Sequence, residues 1–231
     1  MVSCRRDLSP VWVVVPAFEE SAVVAATLDG LRQHFDRIVV IDDCSRDETA
    51  AIARARGAHV LRHPVNLGQG ASLQTGIEYV LAQGAGSIVT FDADGQHDPA
   101  DAAAMLGHLA LGEFDVVLAS RNLGRTEGMP RVRAAMLRLA VAYTRWSTGL
   151  RVSDTHNGLR VFSRAAASKL HLRQNRMAHA SEILDYIARS KLRYVEYGCT
   201  LRYTQYSRSK GQSSMAAFRI LFDIAVRKFQ R

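Results

Sequence analysis

The first half of the chain alternates short apolar, β-branched segments with longer alanine-rich segments, and this alternation constrains the fold more than any other feature. Short apolar runs of this kind are typical of strands that are buried on both faces of a sheet. The segments between them carry helix signals, such as Pro99 in a first turn. The succession predicts an α/β fold with a single doubly wound, mostly parallel sheet flanked by helices. We expect strands at 11–15, 37–41, 58–61, 87–91 and 115–119, and helices at 20–34, 46–56, 68–81 and 99–111.

The second half departs from this pattern. A long helix is expected from Arg131 to about Ser147, followed by a short strand at 159–162, a further helix and a mixed tail. A chain of 231 residues that is 48% hydrophobic suits one domain with a large core. We therefore expect a single domain over residues 1–231, in which about 10–120 form a nucleotide-binding half and about 121–231 a half specific for the second substrate.

Composition restricts the location and the partners of the protein. The three cysteines, Cys4, Cys44 and Cys199, are odd in number and widely spaced, which favours a reducing cytoplasm over a disulfide framework or a thiolate zinc site. No run approaches the roughly 18 apolar residues that span a bilayer, and the first residues lack the apolar stretch of a signal peptide. The formal net charge of +8 favours an anionic partner: a nucleic acid, an acidic membrane face or a phosphorylated substrate.

Acidic residues follow three of the expected strands. They are Glu19–Glu20, Asp42–Asp43 and Asp92–Asp94. Because ligands of open α/β sheets bind beyond the carboxyl ends of the strands, we expect these acids to converge on one rim. Clustered carboxylates repel one another, and a hard cation that bridges substrate phosphates offsets the repulsion. With the neutral oxygen of Gln96 nearby, the ligand types favour Mg or Mn over zinc, whereas His97 is expected to orient the loop.

Several other nucleotide-binding and hydrolytic motifs are missing from the sequence. The segment Gly68–Gly70 resembles the start of a dinucleotide fingerprint, but Leu73 stands where the last glycine is required, and the segment does not follow the first strand. The sequence has no Walker lysine, no Gly-x-Ser-x-Gly elbow and no His-Glu-x-x-His pair. These observations disfavour a dehydrogenase, a P-loop nucleotidase and a zinc hydrolase.

Four motifs stand in a fixed order along the chain: Val15–Glu20, Ile41–Thr49, Asn66–Gly70 and Phe91–Pro99. Together they resemble those of glycosyltransferase family two. Further matches at 120–121, 154–164 and 210–213 are similar to its dolichyl-phosphate mannosyltransferase-like and polyprenyl-phosphate glycosyltransferase branch. The resemblance implies a GT-A fold, a nucleotide-sugar donor and inversion at the anomeric carbon.

The resemblance also implies roles for individual residues. Asp94, Arg121 and Glu182 are the expected catalytic residues. The divalent cation, Mg or Mn, would be surrounded by Asp92, Asp94 and Gln96, and the acceptor would be bound by Arg121 and Arg133. The donor, a UDP, GDP or dTDP sugar, would be bound by Pro16, Phe18, Glu20, Asp42, Asp43, Asp92, Ala93, Arg208 and Lys210.

Two acceptor classes are compatible with these residues. The first is a polyprenyl (lipid) phosphate, which is already anionic at neutral pH because a phosphate monoester has a second pKa of about 6. It requires positioning rather than deprotonation, and its product would serve cell-surface polysaccharide or glycan synthesis. The second is a glycan hydroxyl, which requires a carboxylate base, and Glu182 is the candidate. The same glutamate also fits a structural role in a helix.

Two basic amphipathic stripes bear on the acceptor and on the location. One lies in the helix from Arg131, and the other in the tail, at Phe218, Leu221, Phe222, Ala225 and Phe229. Such helices either lie in a membrane interface or pack on a core. We expect a hexosyltransferase-type enzyme in the cytoplasm or peripheral on the inner face of the cell membrane. The sequence leaves open whether the protein forms a homo-oligomer or binds a small membrane partner.

Two further protein classes fit the sequence less well. A basic nucleic-acid-binding module would carry an aromatic stacking motif or a recognition helix, and we find neither, so no nucleic-acid partner is expected. A nucleotidyltransferase would carry a glycine-rich basic loop near the first strand. That place holds the acidic segment Ala17–Glu20.

Overall fold

The computed structural model describes residues 6–127, 131–174, 178–202 and 206. Its strands are β1 (Val11–Ala17), β2 (Ile38–Asp42), β3 (His59–Arg62), β4 (Ser87–Thr90), β5 (Val116–Glu127), β6 (Arg160–Ser163) and β7 (Tyr194–Arg202). Its helices are α1 (Val24–Arg32), α2 (Thr49–Ala55), α3 (Gln69–Ala82), α4 (Pro99–Ala110), α5 (Arg131–Thr148), α6 (Arg164–Ala167) and α7 (Ala178–Arg189).

Within the described ranges the strands form one sheet in the order β3-β2-β1-β4-β6-β5-β7. All neighbouring pairs are parallel except those of β6, which runs antiparallel to both β4 and β5. The prediction of a mostly parallel α/β sheet flanked by helices is thereby confirmed.

The central strand β1 shows why continuous apolar runs form this sheet. Side chains alternate between the two faces of a strand, so a strand covered on both faces requires apolar residues at every position. Val13 and Val15 belong to the core under α1 and α4, whereas Trp12 and Val14 belong to the core under α3 and α7. The sheet therefore has a separate apolar core on each face.

Three expectations about the elements were wrong in detail. Helix α1 begins at Val24 rather than at residue 20, because Glu19 has a left-handed backbone (φ 54°) and the chain turns there. Strand β5 continues to Glu127 instead of ending at 119, with a register shift beside β7. Strand β7 was expected only as part of a mixed tail, because Glu196 and Gly198 interrupt its apolar pattern.

One edge of the sheet collects the loops that carry polar residues. The parallel strands β1, β2 and β4 end at this edge, where Ala17 pairs with Asp42 and Val14 pairs with Thr90. Because β6 is antiparallel, its first residue, Arg160, lies beside Thr90 at the same edge. The segment before β6 therefore meets the loops after β1, β2 and β4.

Gly76 allows α3 to pack closely on the sheet, and its replacement tests this contact. A Cβ at Gly76 would lie 2.3 Å from Cγ1 of Val14. We expect Gly76→Ala to lower the free energy of unfolding by about 2 kcal/mol, because valine is too stiff to move away. Gly107→Ala is the matched control: Gly107 in α4 has open space around it, so alanine should raise stability by about 0.5 kcal/mol. Urea denaturation of both variants measures the difference, and equal effects would contradict the packing argument.

Candidate active site

The three acidic groups predicted from the sequence follow neighbouring parallel strands. Glu19–Glu20 follows β1, Asp43 follows β2, and Asp92–Asp94 follows β4. The backbone N–H of Asp43 donates to Ala17 O at 2.9 Å, which extends the pairing of β1 and β2 into the loops. The prediction that these acids meet at one edge of the sheet is confirmed.

Asp92 is held by contacts on both carboxylate oxygens. Its Oδ1 accepts a hydrogen bond from Nε2 of Gln69 at 2.9 Å, and its Oδ2 lies 3.7 Å from Nε2 of His97. The carboxylate also rests on the Cα of Gly158, where any Cβ would lie 1.9 Å from Oδ2. Burial alone would raise the pKa of Asp92, but the contact with His97 and the charge of Arg160 outweigh it and hold the pKa below its usual value. Asp92 is therefore a carboxylate in a fixed position.

Asp94 has a different electrostatic environment. Its Oδ1 accepts a hydrogen bond from the backbone N–H of Gln96 at 3.1 Å, and its Oδ2 accepts one from Nε2 of Gln96 at 2.7 Å. Burial and the neighbouring charge of Asp92 raise the pKa of Asp94 to about 6. A cation beside Asp94 would relieve this repulsion.

The ligand types at this edge fit a cation that is shared with a substrate. Among the described residues, no group of three or more His, Cys, Asp or Glu side chains is arranged to hold a metal ion. Mg and Mn sites in enzymes that act on phosphates commonly use one or two carboxylates, with substrate oxygens and water as the other ligands. Asp92 and Asp94 match that arrangement better than a closed, all-protein site.

His97 lies on the inner side of the loop between β4 and α4. Its ring is buried edge-on against Phe91, with 5.7 Å between the ring centroids, and its backbone forms a bridge with Leu201 of β7. Burial lowers the pKa of His97, but contacts with Asp92 and Cys199 prevail and raise it to about 9. His97 thus lies between Asp92 and β7, and its role in orienting the loop stays a prediction from the sequence.

The loop after β1 is hydrogen-bonded to residues 45–49 on one side and contacts Tyr206 on the other. The backbone N–H groups of Glu19, Glu20 and Ser21 donate to side-chain oxygens of Ser45, Thr49 and Asp47, at 2.9, 2.8 and 3.1 Å. The hydroxyl of Tyr206 lies 2.9 Å from Oε2 of Glu20 and 3.1 Å from the carbonyl oxygen of Glu19. Burial and the contact with Glu20 raise the pKa of Tyr206. No sequence pattern singles out Tyr206.

The other predicted donor-binding residues of the first half differ in exposure. Pro16 and Ala93 are buried, and Phe18 is exposed. Asp42 is fully buried and forms an ion pair with Arg62 at 3.0 Å. Asp43 accepts hydrogen bonds from the backbone N–H groups of Leu67 and Gly68 at 2.9 and 2.7 Å and contacts His63 Nδ1 at 2.8 Å. Asp43 thus fixes the loop that leads into α3.

Arg121 lies in a buried network after β5. Its Nε and its backbone N–H both donate to Oδ2 of Asp154, at 2.7 and 3.1 Å, and its Nη2 donates to His156 O at 2.9 Å. Glu196 of β7 fixes this turn, because its carboxylate accepts the backbone N–H groups of Ser153 and Asp154. Burial raises the pKa of Asp154, but Arg121 prevails and lowers it. The guanidinium of Arg121 is therefore held in one orientation.

Sequence reasoning missed Arg160. It is 3% exposed at the start of β6, and its Nη1 has no hydrogen-bond partner among the described residues. Burial lowers its pKa to about 10, although Asp92 and Asp154 oppose this change. An arginine inside the apolar run Leu159–Phe162 was the available signal, since a charged residue in a buried strand requires a nearby opposite charge.

The structure places Glu182 on α7 and directs its carboxylate toward the backbone. Its oxygens accept hydrogen bonds from the N–H of Arg173 at 3.0 and 3.1 Å and from the N–H of Gln174 at 2.9 Å. The candidate base therefore already accepts backbone donors.

The exposed face of α5 carries part of the amphipathic stripe. Leu139 and Trp146 are 61% and 68% exposed, and Tyr143 contacts Trp146 with 6.0 Å between the ring centroids. Ala140, Val141 and Thr144 are buried on the other face.

Within the described ranges, no helix combines the length and the apolar character needed to cross a bilayer. Several sequence-based candidates lie outside the described residues. They are the side chain of Arg133, Arg208, Lys210 and the tail stripe with Phe218.

Residues 12–170 match the family described as glycosyl transferase family 2. An uncharacterised protein of Methanocaldococcus jannaschii is 35% identical over 94% of this chain and 92% of its own length. The UDP-N-acetylglucosamine–dolichyl-phosphate N-acetylglucosaminyltransferase of Methanococcus voltae is 28% identical over 94% of this chain and 96% of its own length.

Solved structures resemble the fold. Glucosyl-3-phosphoglycerate synthase from Mycobacterium tuberculosis, in complex with Mn²⁺, uridine diphosphate and phosphoglyceric acid, superimposes with a TM-score of 0.64. The match has 23% sequence identity and covers 87% of this chain and 73% of that one. At this identity the likeness concerns the arrangement of strands and helices.

The buried pair of Arg121 and Asp154 should contribute strongly to stability. We expect Asp154→Asn to lower the free energy of unfolding by about 3 kcal/mol, because the arginine is left buried without its counter-charge. Since the folded-state pKa of Asp154 is lowered, the contribution should be constant above pH ~4 and decrease as the pH falls below the usual value. Asp115→Asn, which removes an ion pair with the exposed Arg193, is the control and should cost less than about 1 kcal/mol. Denaturant titrations at pH 7 and pH 3 measure both, and similar losses would contradict the assignment.

Proposed function

This chain belongs to glycosyl transferase family 2, and we propose that it transfers one sugar from a nucleotide-sugar donor to a polyprenyl phosphate. The observation that carries the choice of acceptor is the position of Glu182. Its carboxylate accepts the backbone N–H groups of two successive residues, Arg173 and Gln174. These two donors already hold the carboxylate against a backbone segment. An acceptor that is already anionic requires no such base.

The donor site of this proposal lies at the edge of the sheet where β1, β2 and β4 end. Asp92 and Asp94 would hold a divalent cation, Mg or Mn, together with the donor diphosphate, and Gln96 would keep Asp94 in place. Phe18 and Glu20 would contact the nucleoside, while Asp43 fixes the loop before α3. The fixed carboxylate of Asp92 and the repulsion that raises the pKa of Asp94 support this assignment.

The reaction follows from these positions. A phosphate oxygen of the acceptor forms a bond to the anomeric carbon while the bond from that carbon to the donor diphosphate breaks on the opposite face. The cation, when bound, neutralises the charge that develops on the departing nucleoside diphosphate. Arg121, oriented by Asp154, would supply a fixed positive charge near the acceptor phosphate. Arg133, Arg208 and Lys210 remain sequence-based candidates for further phosphate contacts.

The acceptor class is supported by a relative that matches nearly the whole chain. The Methanococcus voltae enzyme is named for transfer to dolichyl phosphate. For this chain we propose a location on the inner face of the cell membrane, where the exposed apolar residues Leu139 and Trp146 of α5 would enter the interface beside Arg138 and Arg145.

The acceptor is tested by incubating the protein with nucleotide sugars, Mn²⁺ and a short-chain polyprenyl phosphate. We expect release of nucleoside diphosphate and a glycosylated lipid detected by mass spectrometry. The free polyprenol, which offers a hydroxyl in place of the phosphate, is the control and should give no product. Equal transfer to the free polyprenol would refute the proposed acceptor class.

The metal site is tested by Asp94→Asn. We expect turnover to fall by at least about 100-fold, because a ligand and a negative charge beside the cation are lost. The thermal midpoint should stay within a few degrees of the wild type. Asp36→Asn, an exposed aspartate before β2, should retain full activity. Undiminished metal-dependent turnover in Asp94→Asn would show that the cation binds elsewhere.

The membrane contact is tested by flotation with vesicles that contain anionic lipid. We expect wild-type protein to float with the vesicles at low salt and Leu139→Asp with Trp146→Asp to reduce the bound fraction, because both charges would enter the apolar interface. Ala104→Asp, at an exposed position of α4 away from this face, tests for a general effect of charge. No flotation of the wild type would exclude membrane binding by this face.

A further inference from the structure

The segment Leu172–Gln174 is held by side chains from two helices. The N–H of Leu172 donates to Oε1 of Gln74 on α3 at 2.8 Å. The next two N–H groups, those of Arg173 and Gln174, donate to the carboxylate of Glu182 on α7. Three successive backbone donors are thus accepted by side chains, so the segment has a defined position without belonging to a helix or a strand.

This segment packs directly against the first turn of α3. A Cβ at Gly70 would lie 2.0 Å from the carbonyl oxygen of Gln174 and 3.1 Å from Cβ of His179. The backbone of α3 therefore touches both the segment and α7. A shift of the Gln174 backbone would displace the backbone of Gly70, because no side chain separates them.

The same turn of α3 contacts Asp92. Gln69, the residue before Gly70, donates from Nε2 to Oδ1 of Asp92 at 2.9 Å. A continuous series of contacts thus leads from Glu182 to the carboxylate of Asp92. It passes through Gln174, Gly70 and Gln69.

We propose that Glu182 is a positioning residue for the metal site, acting through this series of contacts on Asp92. The glutamate fixes Gln174, Gln174 fixes the first turn of α3, and Gln69 then holds Asp92 in the orientation that the cation requires. Outer-shell hydrogen bonds of this kind control metal affinity because a ligand that must be reoriented binds more weakly. The inference rests on the proposed role of Asp92 and Asp94 as metal ligands.

The test measures Mn²⁺ affinity of the purified full-length protein without substrates, by titration followed through the electron paramagnetic resonance of free Mn²⁺. We expect Glu182→Ala and Gln69→Ala each to weaken binding by about 10-fold. The double variant should lose little more than either single variant, because both act on the same contact. Asp185→Asn, one turn further along α7 with the same loss of charge, should bind like the wild type.

Two further variants separate positioning from proton transfer. Gly70→Ala leaves Glu182 intact but forces Gln174 away, so it should weaken Mn²⁺ binding as Glu182→Ala does. Glu182→Gln removes the base but keeps one acceptor oxygen, so its transfer activity should fall only in proportion to its loss of Mn²⁺ affinity, and the pH profile of the remaining activity should not change. Thermal midpoints of all variants show whether the fold is kept. Loss of transfer in Glu182→Gln with wild-type Mn²⁺ affinity would identify a base and overturn the proposal.

The outcomes distinguish this inference from the proposed function. If the wild type binds Mn²⁺ and Asp94→Asn does not, the metal site is correct. Wild-type affinity in Glu182→Ala or Gln69→Ala would then overturn the positioning role alone. If the wild type binds no Mn²⁺, the proposed metal site fails and the positioning role fails with it. Additive losses in the double variant would also overturn the proposal, since they require two separate effects.

Discussion

The carboxylate of Asp92 is contacted by three separate parts of the chain, and the free-energy cost of placing this partly buried charge among them governs how the site is built. An unpaired buried charge is strongly unfavourable, so opposite charges and donors must surround it. Gln69 donates to it from α3, His97 lies beside it in its own loop, and Arg160 supplies a positive charge from β6. Gly158 provides the space, since any side chain there would overlap the carboxylate. The antiparallel direction of β6 is what brings Gly158 and Arg160 to this edge.

The two aspartates after β4, Asp92 and Asp94, consequently differ in their electrostatic environment. Asp92 is balanced by His97 and Arg160, and its pKa lies below the usual value. Asp94 has no comparable partner among the described residues, and burial and Asp92 raise its pKa to about 6. A cation would therefore be attracted most strongly by the carboxylate of Asp94, whose charge is not balanced in this way. The charge of Asp92 is already balanced by the protein. This division fits the contacts of the described residues, in which Gln69, His97 and Gly158 meet Asp92 and Gln96 hydrogen-bonds to Asp94.

The sequence was sufficient for features set by strand periodicity and insufficient for those set by contacts between distant segments. The apolar runs predicted β1, β2 and β4, and their parallel direction predicted that Asp43 and Asp92 lie at one edge. The strand β7 was missed because Glu196 and Gly198 interrupt its pattern; both are explained by tertiary contacts, of Glu196 with the turn at Ser153 and of Gly198 with the backbone of Leu123. Arg160 was missed for the same reason, since its burial depends on Asp92, which lies far away in the sequence.

The chemistry of the acceptor decides which side chains of the second half are required for catalysis. A hydroxyl acceptor needs a carboxylate that can reach the hydroxyl and take its proton. A phosphate acceptor needs positive charge, and a carboxylate near it would be repulsive. Glu182 bound to Arg173 and Gln174 satisfies the second requirement, because its charge is directed toward backbone N–H groups. Asp154 and Glu196 are likewise directed inward, toward Arg121 and the turn at Ser153. The acids of this half thus orient groups around the site, while those after β4 would be the ones to meet the proposed cation.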